Sequence, residues 1–221
     1  MKGLKNMNYY LIPGMGADKR LFRNFHLPHG TVHHLDWIPH RGSRNLSEYA
    51  HLMAERITTD NNIIVGSSMG GMVTVEIAKL IKPKGAVLVS APTGRHEFPQ
   101  VLKNLKALRL HRALSPKQVL RISTLADLFM GFKTEEQRAM FYDMLRGNGE
   151  DFLHFSVGAV LEWQNTTPPD VPFIQIIGTH DKLFKQHKIP NAIMIEGSGH
   201  FTAFEKGKEV SEIISQWTSQ M

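Results

Sequence analysis

The 221-residue chain has no cysteine. Disulfide staples and thiolate chemistry are therefore excluded, and a reducing compartment is allowed without being required. No apolar run approaches the roughly 20 residues that span a bilayer, so no membrane partner is expected. The opening residues, Met1-Lys2-Gly3-Leu4-Lys5-Asn6, lack the long apolar stretch of an export signal, and a cytoplasmic location is the expectation. There is no internal repeat and no low-complexity tract. Acids are the scarcer charge, 20 against 26 Lys and Arg, for a net charge of +6. That excess is local. Between Thr93 and Lys133 stand Arg95, Lys103, Lys106, Arg109, Arg112, Lys117, Arg121 and Lys133 against Glu97 and Asp127, which matches the whole imbalance. A nucleic-acid binder would not confine its charge in this way, so no nucleic-acid partner is expected.

What is present is ordinary for a globular chain: 42% hydrophobic and 21% charged residues, enough for one full core and an inserted subdomain. The most informative stretch is Ile63-Ile64-Val65-Gly66-Ser67-Ser68-Met69-Gly70-Gly71-Met72. An apolar, β-branched run ends in Gly-x-Ser-x-Gly. It passes at once into a helical pattern in which Met72, Val75, Ile77, Ala78 and Leu80 form a broad apolar side. Strand, tight turn and helix follow in that order, with Ser68 at the apex. Such an apex strains its own backbone, and side chains at Gly66 and Gly70 would strike the other limb of the turn. The pattern also arises by chance as a plain turn, so it needs partners elsewhere in the chain.

Other strands are expected at 8–12, 31–37, 85–90, 172–178 and 192–195, giving six in all. A short helix is expected near 17–22, one from Glu48 to about Thr58 capped by Ser47, and a last one over about 206–219. Unbroken Val, Ile and Leu in strands that alternate with helices imply a parallel sheet covered on both faces. From Phe98 to Gln164 the pattern is helical throughout: 99–113, 116–132, 135–146 and 151–164. Residues 1–92 and 166–221 read as the core. Residues 93–165 read as a helical cap whose last helix, with Phe152, Phe155 and Trp163, returns to that core.

Functional groups of open parallel sheets gather beyond the carboxyl ends of the strands. The first strand there ends in Pro13-Gly14-Met15-Gly16, the third in Ser68, the fifth in Asp181 and the sixth in His200. Serine, acid, histidine is the chain order that a nucleophile elbow requires. Asp181 alone reads equally well as a turn aspartate, and His200 is one of 12 histidines; their joint placement carries the argument. Glu97 and Glu205 are the rival acids, but neither directly follows a strand. His33, His34 and His40 make a poor metal site, since His33 and His34 point to opposite faces of one strand. Gly14-Met15-Gly16 is half a dinucleotide fingerprint, and the serine turn lacks a phosphate-loop lysine.

Gly66-Ser67-Ser68-Met69-Gly70-Gly71, Gly178-Thr179-His180-Asp181 and Gly197-Ser198-Gly199-His200-Phe201 resemble the α/β-hydrolase fold superfamily. The likeness runs from about Asn8 to Trp217 and weakens in the helical insert. It implies a mostly parallel six-stranded sheet without the N-terminal hairpin of larger members. Pro13-Gly14 stands where many members have His-Gly. The resemblance implies a serine hydrolase cleaving a carboxylester or thioester. Ser68 would be the nucleophile, His200 the base and Asp181 its orienting acid, with the backbone N–H groups of Met15 and Met69 as the oxyanion hole. No cofactor or metal is implied. Non-hydrolytic or carbon–carbon cleaving chemistry, and ligand binding without turnover, are the alternatives. Phe129, Met130, Phe132, Phe141 and Met144 could wall an apolar pocket for the acyl substrate, or simply pack. Lys103, Lys106, Arg109 and Arg112 recur along one helix. A solvated face accounts for them, and a landing surface for an anionic substrate is the alternative.

Overall fold

The computed structural model describes residues 7–27, 30–108, 114–123, 127–184 and 189–221. Six strands form one sheet: β1 (Met7–Ile12), β2 (Gly30–His34), β3 (Asn62–Ser67), β4 (Gly85–Val89), β5 (Phe173–Gly178) and β6 (Ile193–Ile195). Their order is β2-β1-β3-β4-β5-β6, and every pairing is parallel. Side chains alternate across the pleat. Tyr9, Leu11, Ile63, Val65, Val87 and Val89 fill the core on one face. Tyr10, Ile12, Ile64 and Leu88 fill it on the other. Burial on both faces explains why β3 and β4 are buried at every position.

The first face is covered by α9 (Gly207–Thr218), the second by α1 (Leu46–Ala54) and α2 (Met69–Ile81). Asn45, rather than Ser47, caps α1: its side chain accepts from Glu48 N at 2.9 Å, so the helix starts earlier and ends at Ala54. In α2 burial is nearly all-round. Leu80, expected on the apolar side, is 37% exposed in the last turn of the helix, where burial ends at Ala78. The final helix is broken at Lys206 into α8 (Thr202–Glu205) and α9. No described helix is long and apolar enough to cross a membrane.

Between β4 and β5 run α3 (Gln100–Leu108), α4 (Pro116–Ser123), α5 (Asp127–Met130), α6 (Glu135–Gly147) and α7 (Glu150–Glu162). The expected helix over 116–132 is divided. Gly131, at φ 70°, turns the chain out of α5 before Phe132. Phe152 and Trp163 pack beside Tyr49 and Met53 in the second core, which ties α7 to the sheet. The strand order reverses between β1 and β3. Ile12 pairs with Gly66 there, so the chain after β1 emerges beside the chain after β3.

Candidate active site

Ser68 joins β3 to α2 with φ 52° and ψ −118°, outside the conformations that L residues adopt freely. The glycines around it answer different contacts. A Cβ on Gly66 would run into Gly70 O and Thr74 Oγ1, the other limb of the turn. A Cβ on Gly70 would run into Ile12 O and Pro13 O. Its reason is therefore the neighbouring strand end, not the turn itself.

His200 Nε2 lies 2.9 Å from Ser68 Oγ, and His200 Nδ1 lies 2.9 Å from Asp181 Oδ2. A carboxylate at Nδ1 fixes the proton on that nitrogen and leaves the Nε2 lone pair to accept from the serine hydroxyl. Asp181 Oδ1 accepts from Leu183 N at 2.8 Å and Phe184 N at 3.0 Å, and these two bonds hold the carboxylate in one orientation toward the ring. Both the imidazole and the carboxylate are buried. The loops that carry them interlock: Thr179 N donates to Ile195 O, His180 N to Ser198 O, and Gly197 N to Thr179 Oγ1. A Cβ on Gly178 would strike Ser198 O, so this glycine lets the two loops meet. Thr179 and Gly178 have supporting parts that their sequence positions did not announce.

Gly14 brings the turn after β1 against the serine; a Cβ there would sit 3.4 Å from Ser68 Cβ. Gly16 adopts φ 74° under Leu145. Gly14 O accepts from Ala17 N and from Trp37 Nε1, both at 3.0 Å, which pins the turn. The N–H groups of Met15 and Met69 have no acceptor among the described residues. The Met69 N–H opens α2, where the helix dipole favours negative charge.

Over Ser68 and His200 lies a cavity of about 480 Å³. Leu21, Phe129, Met130, Phe141, Leu145 and Phe201 line it, and Val101 and Leu105 of α3, each 40% exposed, stand at its edge. Of the five cap residues expected in this wall, Phe129, Met130 and Phe141 are there. Phe132 instead packs on the rings of Phe141 and Phe201, and Met144 is fully buried in the core. A larger, open hollow of about 670 Å³ runs between residues 36–42 and 147–152. It is lined by Asp18, Asp36 and Asp151 with His40 and Arg41, and contains none of Ser68, Asp181 or His200.

The rival acids are engaged elsewhere. Glu97 accepts from Thr93 N, Thr93 Oγ1 and Gln175 Nε2. Glu205 binds the backbone and side chain of the loop before His200, not the imidazole. His33 bonds Asn8 Oδ1 at 2.9 Å, His34 lies near the Phe22 ring, and His40 stacks on Phe155. Burial holds the His34 imidazole below its ordinary pKa. Among the described residues no three His, Asp or Glu side chains form a group that could hold a metal ion. Of the basic run, Lys106 stands 3.8 Å from Glu162 on α7. Arg109 and Arg112 lie outside the described residues.

A family model described as the alpha/beta hydrolase family matches residues 10–213. No curated protein sequence matches the chain. Solved structures share its fold at low identity. An enol-lactonase from Burkholderia xenovorans LB400 is 15% identical, with TM-score 0.75 over 97% of this chain and 92% of that one. A lipase-esterase related protein from Clostridium acetobutylicum ATCC 824 is 17% identical, with TM-score 0.71 over 95% and 93%. A type II thioesterase of the yersiniabactin pathway is 17% identical, with TM-score 0.68 over 98% and 94%.

Proposed function

The chain belongs to the alpha/beta hydrolase family, and we propose that it is a serine hydrolase that cleaves carboxylic esters or thioesters of an apolar acyl group. The observation that carries this reading is the 2.9 Å approach of His200 Nε2 to Ser68 Oγ, with Asp181 on the far side of the ring. A serine hydroxyl is a weak nucleophile at neutral pH and needs such a base. Ser68 Oγ attacks the acyl carbon while His200 takes its proton. The carbonyl oxygen gains the charge, and the N–H groups of Met15 and Met69 receive it. Collapse breaks the bond to the alcohol or thiol, which leaves with the proton from His200. Water, deprotonated by His200, then attacks the acyl-enzyme, releasing the carboxylic acid and restoring Ser68.

Among the described residues the cavity lining includes no Lys, Arg, Asp or Glu. The reading is therefore of an uncharged acyl group, since burying an unpaired charge against these residues is too costly. Any charged part of a substrate stays outside. Residues 93–165 act in this reading as a cap, supplying Phe129, Met130, Phe141 and Leu145 to the acyl site.

The test is labelling with a fluorophosphonate probe and mapping the modified peptide, followed by turnover of matched p-nitrophenyl esters and simple alkyl thioesters with product analysis. The expected result is modification of Ser68, lost in His200→Ala, and release of free carboxylic acid. A folded protein that takes no label and turns over none of these substrates is not a serine hydrolase, and ligand binding without turnover would replace this reading.

A further inference from the structure

The loop bearing His200 is gripped by a buried carboxylate that takes no part in the chemistry above. Glu205, on α8, has its side chain 2% exposed. Its Oε2 accepts from the Ser198 hydroxyl at 2.8 Å and from Gly199 N at 3.2 Å. These two residues immediately precede His200. Thr202 Oγ1, one turn earlier on α8, donates to Gly199 O at 2.6 Å. The loop is thus fastened from α8 at its donor and its acceptor.

A cation from a distant part of the chain completes the grip. Lys133, between α5 and α6, places Nζ 3.5 Å from Glu205 Oε2 and donates to Gly197 O at 2.6 Å. The same segment meets the loop twice more. Phe201 N donates to Met130 O at 3.3 Å, and a Cβ on Gly199 would come within 3.0 Å of that same oxygen. Met130 and Phe201 also line the cavity over Ser68.

The charge on Glu205 needs a reason. Its Oε1 is buried without a hydrogen-bond partner among the described residues, which is expensive for a carboxylate. If accepting from Ser198 and Gly199 were its whole task, a glutamine carbonyl would serve without the charge. Lys133 supplies the reason, because the ammonium that bonds Gly197 O also stands 3.5 Å from Glu205 Oε2, and a charged carboxylate attracts it there as a neutral amide would not. We propose that Glu205 is a positioning residue for His200, and that Lys133 makes this positioning depend on residues 130–133 being seated against the loop. The proposal rests on the reading of Ser68 and His200 as nucleophile and base. The imidazole must serve Asp181 and Ser68 at once, and a displacement of about 1 Å at such a site costs about 10²-fold in rate.

The test compares the full chain with Glu205→Ala, Glu205→Gln, Lys133→Met and the Glu205→Gln/Lys133→Met double variant. Active sites are counted by fluorophosphonate labelling to completion, and kcat for p-nitrophenyl acetate is taken per labelled site, so unfolded protein drops out. Glu205→Ala is expected to lose about 10²-fold in kcat with KM nearly unchanged. Glu205→Gln keeps the acceptor and is expected to lose only about tenfold. Lys133→Met leaves an uncompensated buried charge, so adding Glu205→Gln to it should recover part of its loss. The proposal is overturned if kcat per site in Glu205→Ala stays within about twofold of wild type, or if the two losses simply multiply in the double variant. Should Glu205→Ala fail to fold, the Gln, Met and double variants decide alone. An unlabelled wild type would overturn the reading of Ser68 and this proposal with it. A labelled, active wild type whose variants match it would overturn this proposal only.

Discussion

His200 Nε2 and Ser68 Oγ meet at 2.9 Å although 132 residues separate them in the chain. The contact is set from behind by Asp181, whose Oδ2 accepts a hydrogen bond from Nδ1–H while its Oδ1 is held by two backbone N–H groups. Asp181→Asn can keep the Oδ1 bonds but puts an amide where an acceptor is required. The ring would then turn an N–H toward Ser68. We expect kcat on a p-nitrophenyl ester to fall about 10⁴-fold, with the thermal midpoint little changed. A loss under tenfold would mean that another group orients His200.

The strain at Ser68 makes a prediction about stability. At φ 52° and ψ −118° any side chain is disfavoured, and glycine is not. Ser68→Gly is expected to exceed Ser68→Ala in stability by about 1 kcal/mol, while both lose turnover. Urea denaturation of the two variants measures this directly. An alanine variant as stable as the glycine variant would show that the turn stores no strain.

The turn after β1 is braced at one remove. Tyr49 Oη donates to Ile38 O at 2.8 Å and accepts from Ile38 N at 3.1 Å, and the adjacent Trp37 holds Gly14 O. Tyr49→Phe strands both groups of Ile38 and is expected to cost about 1–3 kcal/mol. Burial pushes the Tyr49 phenol up to about 12, while its hydrogen bond to Ile38 pulls the other way. A raised folded pKa gives stability that is whole below the unfolded value near 10 and is lost as pH climbs to about 12. The stability gap between wild type and Tyr49→Phe should therefore narrow across that window. Urea denaturation near pH 9 and near pH 11 would reveal a constant gap if this account were wrong.

The acyl site predicts a dependence on chain length. Leu105 lines the cavity from α3 and is 40% exposed, so it stands where the cavity meets solvent. Leu105→Asp is expected to raise KM about tenfold for long-chain p-nitrophenyl esters and to leave the acetate nearly unaffected. An equal change for both substrates would place the acyl chain elsewhere.

Strand ends and their residues were legible because a parallel sheet covered on both faces leaves an unmistakable trace. Ile63-Ile64-Val65 and Ala86-Val87-Leu88-Val89 are apolar at every position, and glycine or proline marks where several strands stop. Helix ends were less legible. Ser47 and Asn45 are both good caps, and only the geometry around Glu48 decides between them. Phe132 and Met144 look like pocket residues in the sequence, where an aromatic or a methionine suits a cavity wall and a core equally well.

The sequence by itself determined the order of elements, the strained serine turn and the three chemical groups at separate strand ends, because each depends on local spacing and on which backbone shapes a residue tolerates. Only the tertiary structure decided which groups touch. It put Asp181, not Glu97 or Glu205, on the His200 ring, and it gave the two rivals their own buried partners. It also drew Lys133 to Glu205 across 72 residues and aimed Trp37 at Gly14. Contacts of this kind arise when layers pack and buried polar atoms must find partners, and no spacing along a single chain encodes them.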